Sequence, residues 1–158
     1  MSDTIGTYLW DGSDKRTLDE VRQYWTDNVN STQFWTGDPR KIGTGEFFDT
    51  VSAFIRKNYE HRYRLIDSES AKFPGGKVLE IGCGVGWESI AWAQNGMDIH
   101  SIDLSPAAIE LAQKNFEHNN LKGDLRLANA EELPFEDETF DIEGEELGLL
   151  IGRHGATL

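Results

Sequence analysis

The residues best suited to chemistry in this chain of 158 stand together at Glu80-Ile81-Gly82-Cys83-Gly84-Val85-Gly86. Alternating glycines let a backbone turn tightly and let a ligand lie against it, and a helix starting just beyond presents unpaired N–H groups. Asp103 follows 21 residues after Gly82, closing a second apolar stretch, where a carboxylate can accept hydrogen bonds from ribose hydroxyls. A dinucleotide site would place its third glycine one position later, and that position is Trp87. Its bulk crowds the space a pyrophosphate needs. Glu80, just before the glycines, repels phosphate and suits an ammonium group. The pattern therefore describes a pocket for a nucleoside that carries a cationic amino acid.

S-adenosylmethionine answers to that description. The other reactive residue types add no second centre. Cys83 is the chain's one cysteine and reads as a small packed residue. His61, His100, His118 and His154 lack metal-ligand spacing, so no metal is expected. Trp10, Trp25 and Trp35 read as core or interface packing ahead of a lid over the cofactor mouth.

The elements that must hold these residues alternate. Lys77 to Ile81 is a short strand, Trp87 to Asn95 a helix closed by Gly96, and Asp98 to Asp103 a second strand. Ser105 caps the next helix with Pro106 at its first position, and Ile109, Leu111, Ala112 and Phe116 form its buried face. Asp124 to Ala128 is a third strand and Thr139 to Ile142 begins a fourth. Such alternation specifies an α/β fold with a Rossmann-like parallel sheet. Before the Phe73-Pro74-Gly75-Gly76 turn the chain is aromatic and helical. Thr17 caps a helix through Leu18, Val21, Tyr24 and Trp25, and a longer helix from about Glu46 to Ile66 is expected to bury Phe47, Val51, Phe54, Ile55, Tyr59, Tyr63 and Ile66. The expected organisation is an N-terminal helical segment over 1–73, a cofactor-binding half domain over 74–142 and a divergent tail over 143–158.

Composition narrows the partners. Lys plus Arg is 15 against 28 Asp plus Glu, a net charge of −13, which argues against phosphate-rich partners such as nucleic acid or an anionic membrane. With 38% hydrophobic and 11% aromatic residues the chain is that of a folded globule. A single cysteine, no apolar run approaching a membrane span and no signal peptide point to a reducing, cytoplasmic setting.

At this point a resemblance enters. Val78 to Gly86 resembles the first motif of the class I S-adenosylmethionine-dependent methyltransferases, in the branch similar to quinone- and sterol-methylating enzymes. It continues through Ile102-Asp103-Leu104-Ser105-Pro106 and Ala130-Glu131-Glu132-Leu133-Pro134-Phe135, covering about residues 46–142. The resemblance implies that Glu80 faces the methionine amino group, while Gly82, Cys83, Gly84 and Gly86 form the loop against which the methionine part lies. It implies that Asp103 holds the ribose hydroxyls and Leu104 lies on the adenine face. Asn129, Ala130 and Glu131 border the adenine edge, with Asn129 standing where the family usually has Asp. It assigns no catalytic residue.

After Ile142 the resemblance stops, and the remaining Glu143 to Leu158 reads as a truncated, frameshifted or naturally short end to an incomplete class I fold. One sheet face, with Val78, Ile81, Ile102 and Leu125, is then expected to lack its helices, and a homodimer is expected to cover it with help from Leu147 to Ile151. The activity implied is methyl transfer to a small molecule. The alternative is a cofactor-binding module without catalysis, acting as a dimer or a partner's subunit.

Overall fold

The computed structural model describes residues 16–136, 139 and 140. The first helix, α1 (Leu18–Asp27), starts where the sequence places it. Thr17 Oγ1 accepts the Glu20 N–H at 3.2 Å and Glu20 Oε2 accepts the Thr17 N–H at 2.7 Å, a reciprocal capping box. Two short 3₁₀ turns lead to α2 (Gly45–Asn58), capped by Thr44.

The single helix expected from Glu46 to Ile66 is two. It ends at Asn58, and α3 (Glu60–Lys72) restarts after Tyr59, whose φ of −125° and ψ of 33° leave the helical region. Asn58 Nδ2 donates to the Phe54 carbonyl at 2.7 Å, a side-chain competitor for the backbone ladder where the helix stops. The bend lets each half find its own partner. On α2, Asp49 Oδ1 meets His118 Nε2 at 2.8 Å, and on α3, Arg62 Nη1 donates to Glu88 Oε1 at 2.9 Å. On α2 Phe54 faces away from the core, 42% exposed and leaning on Phe34, while Phe48 takes a buried place beside Phe47, Val51 and Ile55. Trp35 packs on this cluster, Trp25 sets its ring edge-on to Tyr24, and Trp10 lies outside the described residues.

Beyond the turn at Pro74 the chain alternates as expected through β1 (Lys77–Ile81), α4 (Trp87–Gln94), β2 (Asp98–Asp103), α5 (Pro106–His118) and β3 (Asp124–Leu127). The strands are parallel in the order β1-β2-β3, with Glu80 opposite Ser101 and Asp103 opposite Leu127. One face receives α4 and α5: Val78 and Ile99 pack with Ile90, Met97 and Phe116, and Leu125 lies against them. A side chain of this size contributes about 1.5–3 kcal/mol when fully buried, so this cluster anchors both crossover helices to the sheet.

Two expectations about the other face change. Val78 and Leu125 belong to the helix-covered side: they share a face with Ile99 and Ser101 in the register, and successive residues of a strand point to opposite faces. On the opposite face Ile102 is only 1% exposed, and His100 is contacted edge-on by Phe135 and Phe140. Arg126 stacks over Phe135 from β3. Thr139 and Phe140 form a bend; the rest of the expected fourth strand and the Leu147 to Ile151 segment lie outside the described residues.

Candidate functional site

The three parallel strands end on one side of the sheet, where α/β folds of this kind place their ligands. The loop after β1 is tied down first. Gly82 and Cys83 both donate their N–H groups to the Ile102 carbonyl, at 2.8 and 3.1 Å, so the loop leaves β1 while still bonded to β2. Gly82, Gly84 and Gly86 all have positive φ, at 74°, 55° and 76°. A side chain at Gly84 would meet nothing within 4 Å, which leaves the space before this part of the loop open to a ligand. Gly86 serves packing: a Cβ there would come within 3.4 Å of the Ala112 Cβ on α5. Asn115, 1% exposed on the apolar face of α5, donates Nδ2 to the Val85 carbonyl at 3.0 Å and pins the loop from behind.

The two carboxylates sit at the ends of adjacent strands. Asp103 Oδ2 accepts the Gly84 N–H and Oδ1 the Ser105 N–H, both at 2.8 Å. Burial raises its pKa above the ordinary carboxylate value, and the Ser105, Gly84 and Leu104 N–H groups oppose that shift. Glu80 turns toward the sheet face covered by α4, where Ser89 donates to its Oε2 and Ser101 Oγ lies 2.9 Å from Ser89 Oγ. Burial pushes the Glu80 pKa up to about 8; the neighbouring Glu88 and Asp103 charges add to the rise, and the Ser89 hydrogen bond works against it. Cys83 is buried and its thiol is pushed well above its ordinary value by burial and by Glu80 and Asp103, which leaves an unreactive sulfur.

The loop after β3 completes the rim. Ala128 donates its N–H to the Asp103 carbonyl at 3.0 Å and so brings Asn129, Ala130 and Glu131 to the same end of the sheet. Asn129 Oδ1 accepts the Glu131 N–H at 3.2 Å, and the Asn129 carbonyl accepts the Glu132 N–H at 3.1 Å, making a compact turn. Leu104 is half-buried beside Asp103, while Ala130 and Glu131 are exposed. Glu80, Gly82 to Gly86, Asp103, Leu104 and Asn129 to Glu131 thus lie at or just beyond the ends of the three strands.

Three residues that pattern reading passed over are Asn115, Ser89 and Ser101. Each carried a signal: a polar residue on an otherwise apolar stripe, such as Asn115 between Ala112 and Phe116, needs a buried partner. A separate hollow among the helices is lined by Phe48, Arg56, Trp87 and His118 and by none of the glycine-loop residues from Gly82 to Gly86. Among the described residues no cluster of His, Cys, Asp or Glu is arranged to hold a metal.

Comparison with known proteins agrees with this geometry. Residues 78–143 match a family model described as a methyltransferase domain. The chain is 31% identical over 117 residues to a malonyl-acyl-carrier-protein O-methyltransferase of Serratia marcescens, covering 73% of this chain and 41% of that protein. It is 30% identical over 112 residues to a ubiquinone biosynthesis O-methyltransferase of Bartonella tribocorum, covering 71% and 45% respectively. Among solved structures, the cyclase SpnF superposes with a TM-score of 0.52 at 21% identity over 79% of this chain and 47% of its own, a likeness of fold. The chain spans less than half the length of both curated relatives. Over residues 78–143 the chain is similar to a methyltransferase domain, on an α/β, Rossmann-like frame, and it resembles the two O-methyltransferases over a longer stretch.

Proposed function

We propose that the chain binds S-adenosylmethionine along the Gly82–Gly86 loop and forms the cofactor-holding part of a methyltransferase acting on a small-molecule nucleophile. The observation that carries this reading is the open, left-handed Gly84, whose N–H is held by the Asp103 carboxylate at the mouth of the sheet. The residues present fit the ligand. Glu80 supplies a carboxylate for an ammonium group, Asp103 one for ribose hydroxyls, and Leu104 an apolar surface for adenine. With the Glu131 N–H already bonded to Asn129, the Ala130 N–H is the donor assigned to an adenine ring nitrogen. Cys83 takes part through its backbone.

When bound, the cofactor supplies a methyl group activated on a sulfonium. The chain's own part is to orient that group and to exclude water, since in-line placement of two reactants accounts for much of such a rate enhancement. The net charge of −13 supports a small acceptor over nucleic acid, and the likeness to a ubiquinone biosynthesis O-methyltransferase supports a quinone-like ring compound. A homodimer in the cytoplasm belongs to the same reading: among the described residues β1 is an edge strand, and a second copy would give it a neighbour.

Ligand-dependent melting tests the cofactor assignment. At 100 times its dissociation constant a ligand adds about 2.7 kcal/mol, or roughly several degrees for a domain of this size. S-adenosylmethionine and S-adenosylhomocysteine should both raise the midpoint, and NAD should not. Transfer of a labelled methyl group into a metabolite extract separates an enzyme from a binding module.

A further inference from the structure

Ser89 and Ser101 are both fully buried, on α4 and β2, with a hydroxyl each in the layer between helix and sheet that also holds Ile90 and Ile99. Buried hydroxyls in such a layer are costly unless bonded, and their bonds run in one line to a single acceptor. Ser89 spends its one proton on Glu80 Oε2, so the proton between the two serines must come from Ser101. The chain Ser101 to Ser89 to Glu80 crosses from β2 through α4 to β1. It holds the carboxyl against the first turn of the helix that follows the glycine loop.

We propose that Ser89, backed by Ser101, is a positioning residue that holds Glu80 in the orientation and charge state needed to receive a cationic ammonium group at the glycine loop. This rests on the cofactor reading above. The hydrogen-bond chain has two polarities. With Glu80 ionised, both hydroxyls point toward it; with Glu80 protonated, its own O–H can donate to Ser89, which then donates to Ser101. An arriving ammonium group favours the first arrangement and expels the proton.

The groups that face Glu80 act on the same equilibrium. Glu88 on α4 and Asp103 on β2 oppose its ionisation, and Arg62 on α3 neutralises part of Glu88 through their 2.9 Å ion pair. Tyr63 on α3 and Cys83 in the loop sense the Glu80 charge but stay neutral, their own ionisation raised by burial. Ser89 is the bonded neighbour that favours the ionised form.

The test uses two ligands that differ at the amino-acid end: S-adenosylhomocysteine and 5′-methylthioadenosine, which lacks it. Calorimetry from about pH 6 to about pH 9, in buffers of different ionisation enthalpy, reads both affinity and proton release. In the unsubstituted chain, S-adenosylhomocysteine affinity should rise toward pH 8, with a proton released on binding; 5′-methylthioadenosine should show neither effect. Ser89→Ala should weaken S-adenosylhomocysteine about tenfold, move its pH rise upward and leave 5′-methylthioadenosine unchanged. Ser101→Ala, which keeps the Ser89 bond to Glu80, should act in the same direction by less and stands in if the first variant does not fold. Equal weakening of both ligands, or an unmoved pH profile, overturns the positioning role while leaving the cofactor reading intact. Failure of the unsubstituted chain to bind S-adenosylhomocysteine overturns both.

Discussion

The Asp103 carboxylate at the end of β2 holds the Gly84 N–H at 2.8 Å, locking the glycine loop of one strand to the tip of the next. The same carboxylate takes the Ser105 N–H at 2.8 Å and thereby also fixes the start of α5. The ligand role proposed for it and its structural role are joined in one side chain.

Asp103→Ala should therefore have a double effect. Loss of a charged acceptor from ribose hydroxyls weakens S-adenosylhomocysteine by about 1–3 kcal/mol, and freeing the two N–H groups lowers stability as well. Calorimetry and denaturant melts on the same variant separate the two. Asp103→Asn, whose single amide oxygen can accept one of the two backbone bonds, should recover part of the stability and less of the affinity. Recovery of full affinity in Asp103→Asn would place the ribose elsewhere.

Gly84→Val sets backbone against ligand. Nothing crowds the position, so the folding cost is conformational: a φ of 55° is strained for a β-branched residue by roughly 1–2 kcal/mol. The ligand cost should be larger, since the branched side chain fills the open space before the loop. A melting midpoint only slightly lowered, together with no response to S-adenosylmethionine, is the expected result. A normal ligand response would show that the cofactor does not use that space.

The β1 to α5 course was legible in the sequence because its signals are local. Ser105 with Pro106, the glycines 82 to 86 and Gly96 each dictate a cap or a turn within a few residues, and all stand as read. The break at Tyr59 was not legible, since apolar spacing runs straight through it and only the packing partners of α2 and α3 separate the halves. The grouping of Val78 with Ile81 failed against alternation itself, since residues three apart in one strand face opposite sides; the register then puts Leu125 with Val78 under the crossover helices. Among the site residues, Glu80 and Asp103 were visible from spacing. The Ser89 and Ser101 hydroxyls behind Glu80 signalled only that buried partners were needed, and the partners were not legible because that network joins residues 9 and 12 positions apart across three elements.

Asn115→Leu tests the loop's anchor. The substitution keeps an apolar side chain of similar volume on the stripe of α5 but leaves the buried Val85 carbonyl without its donor, at a cost of about 1–3 kcal/mol. Denaturant unfolding should show that loss with an unchanged slope. No loss of stability would mean that the carbonyl finds water and the loop is held by Ile102 and Asp103 alone.

A second copy along the β1 edge predicts a mass twice that of the chain's 17.8 kDa in light scattering at micromolar concentration. Replacing Leu79, half-buried on the face away from α4 and α5, by Lys should shift the protein toward the monomer with little change in far-ultraviolet dichroism. A monomeric wild type would remove the homodimer from the proposed function and leave the cofactor site untouched.

Glu80 makes stability depend on pH in a direction opposite to that of an ordinary ion-paired carboxylate. Its ordinary value is 4.5, and burial raises it to about 8 in the folded chain. Between these values the unfolded chain has released the proton and the folded chain still holds it, so the folded state binds more protons and loses stability as pH rises. The stabilisation is complete below the unfolded value and lost as pH passes through about 8, above which the contribution is level. Glu80→Gln stays neutral throughout. It should flatten this part of the profile and be the more stable protein at pH 8, while binding S-adenosylhomocysteine more weakly because the ammonium partner is gone. Thermal melts of both proteins from about pH 5 to about pH 9, without ligand, read the difference directly. A wild-type midpoint that holds level or climbs relative to Glu80→Gln across that window would mean that Glu80 is ionised in the folded chain.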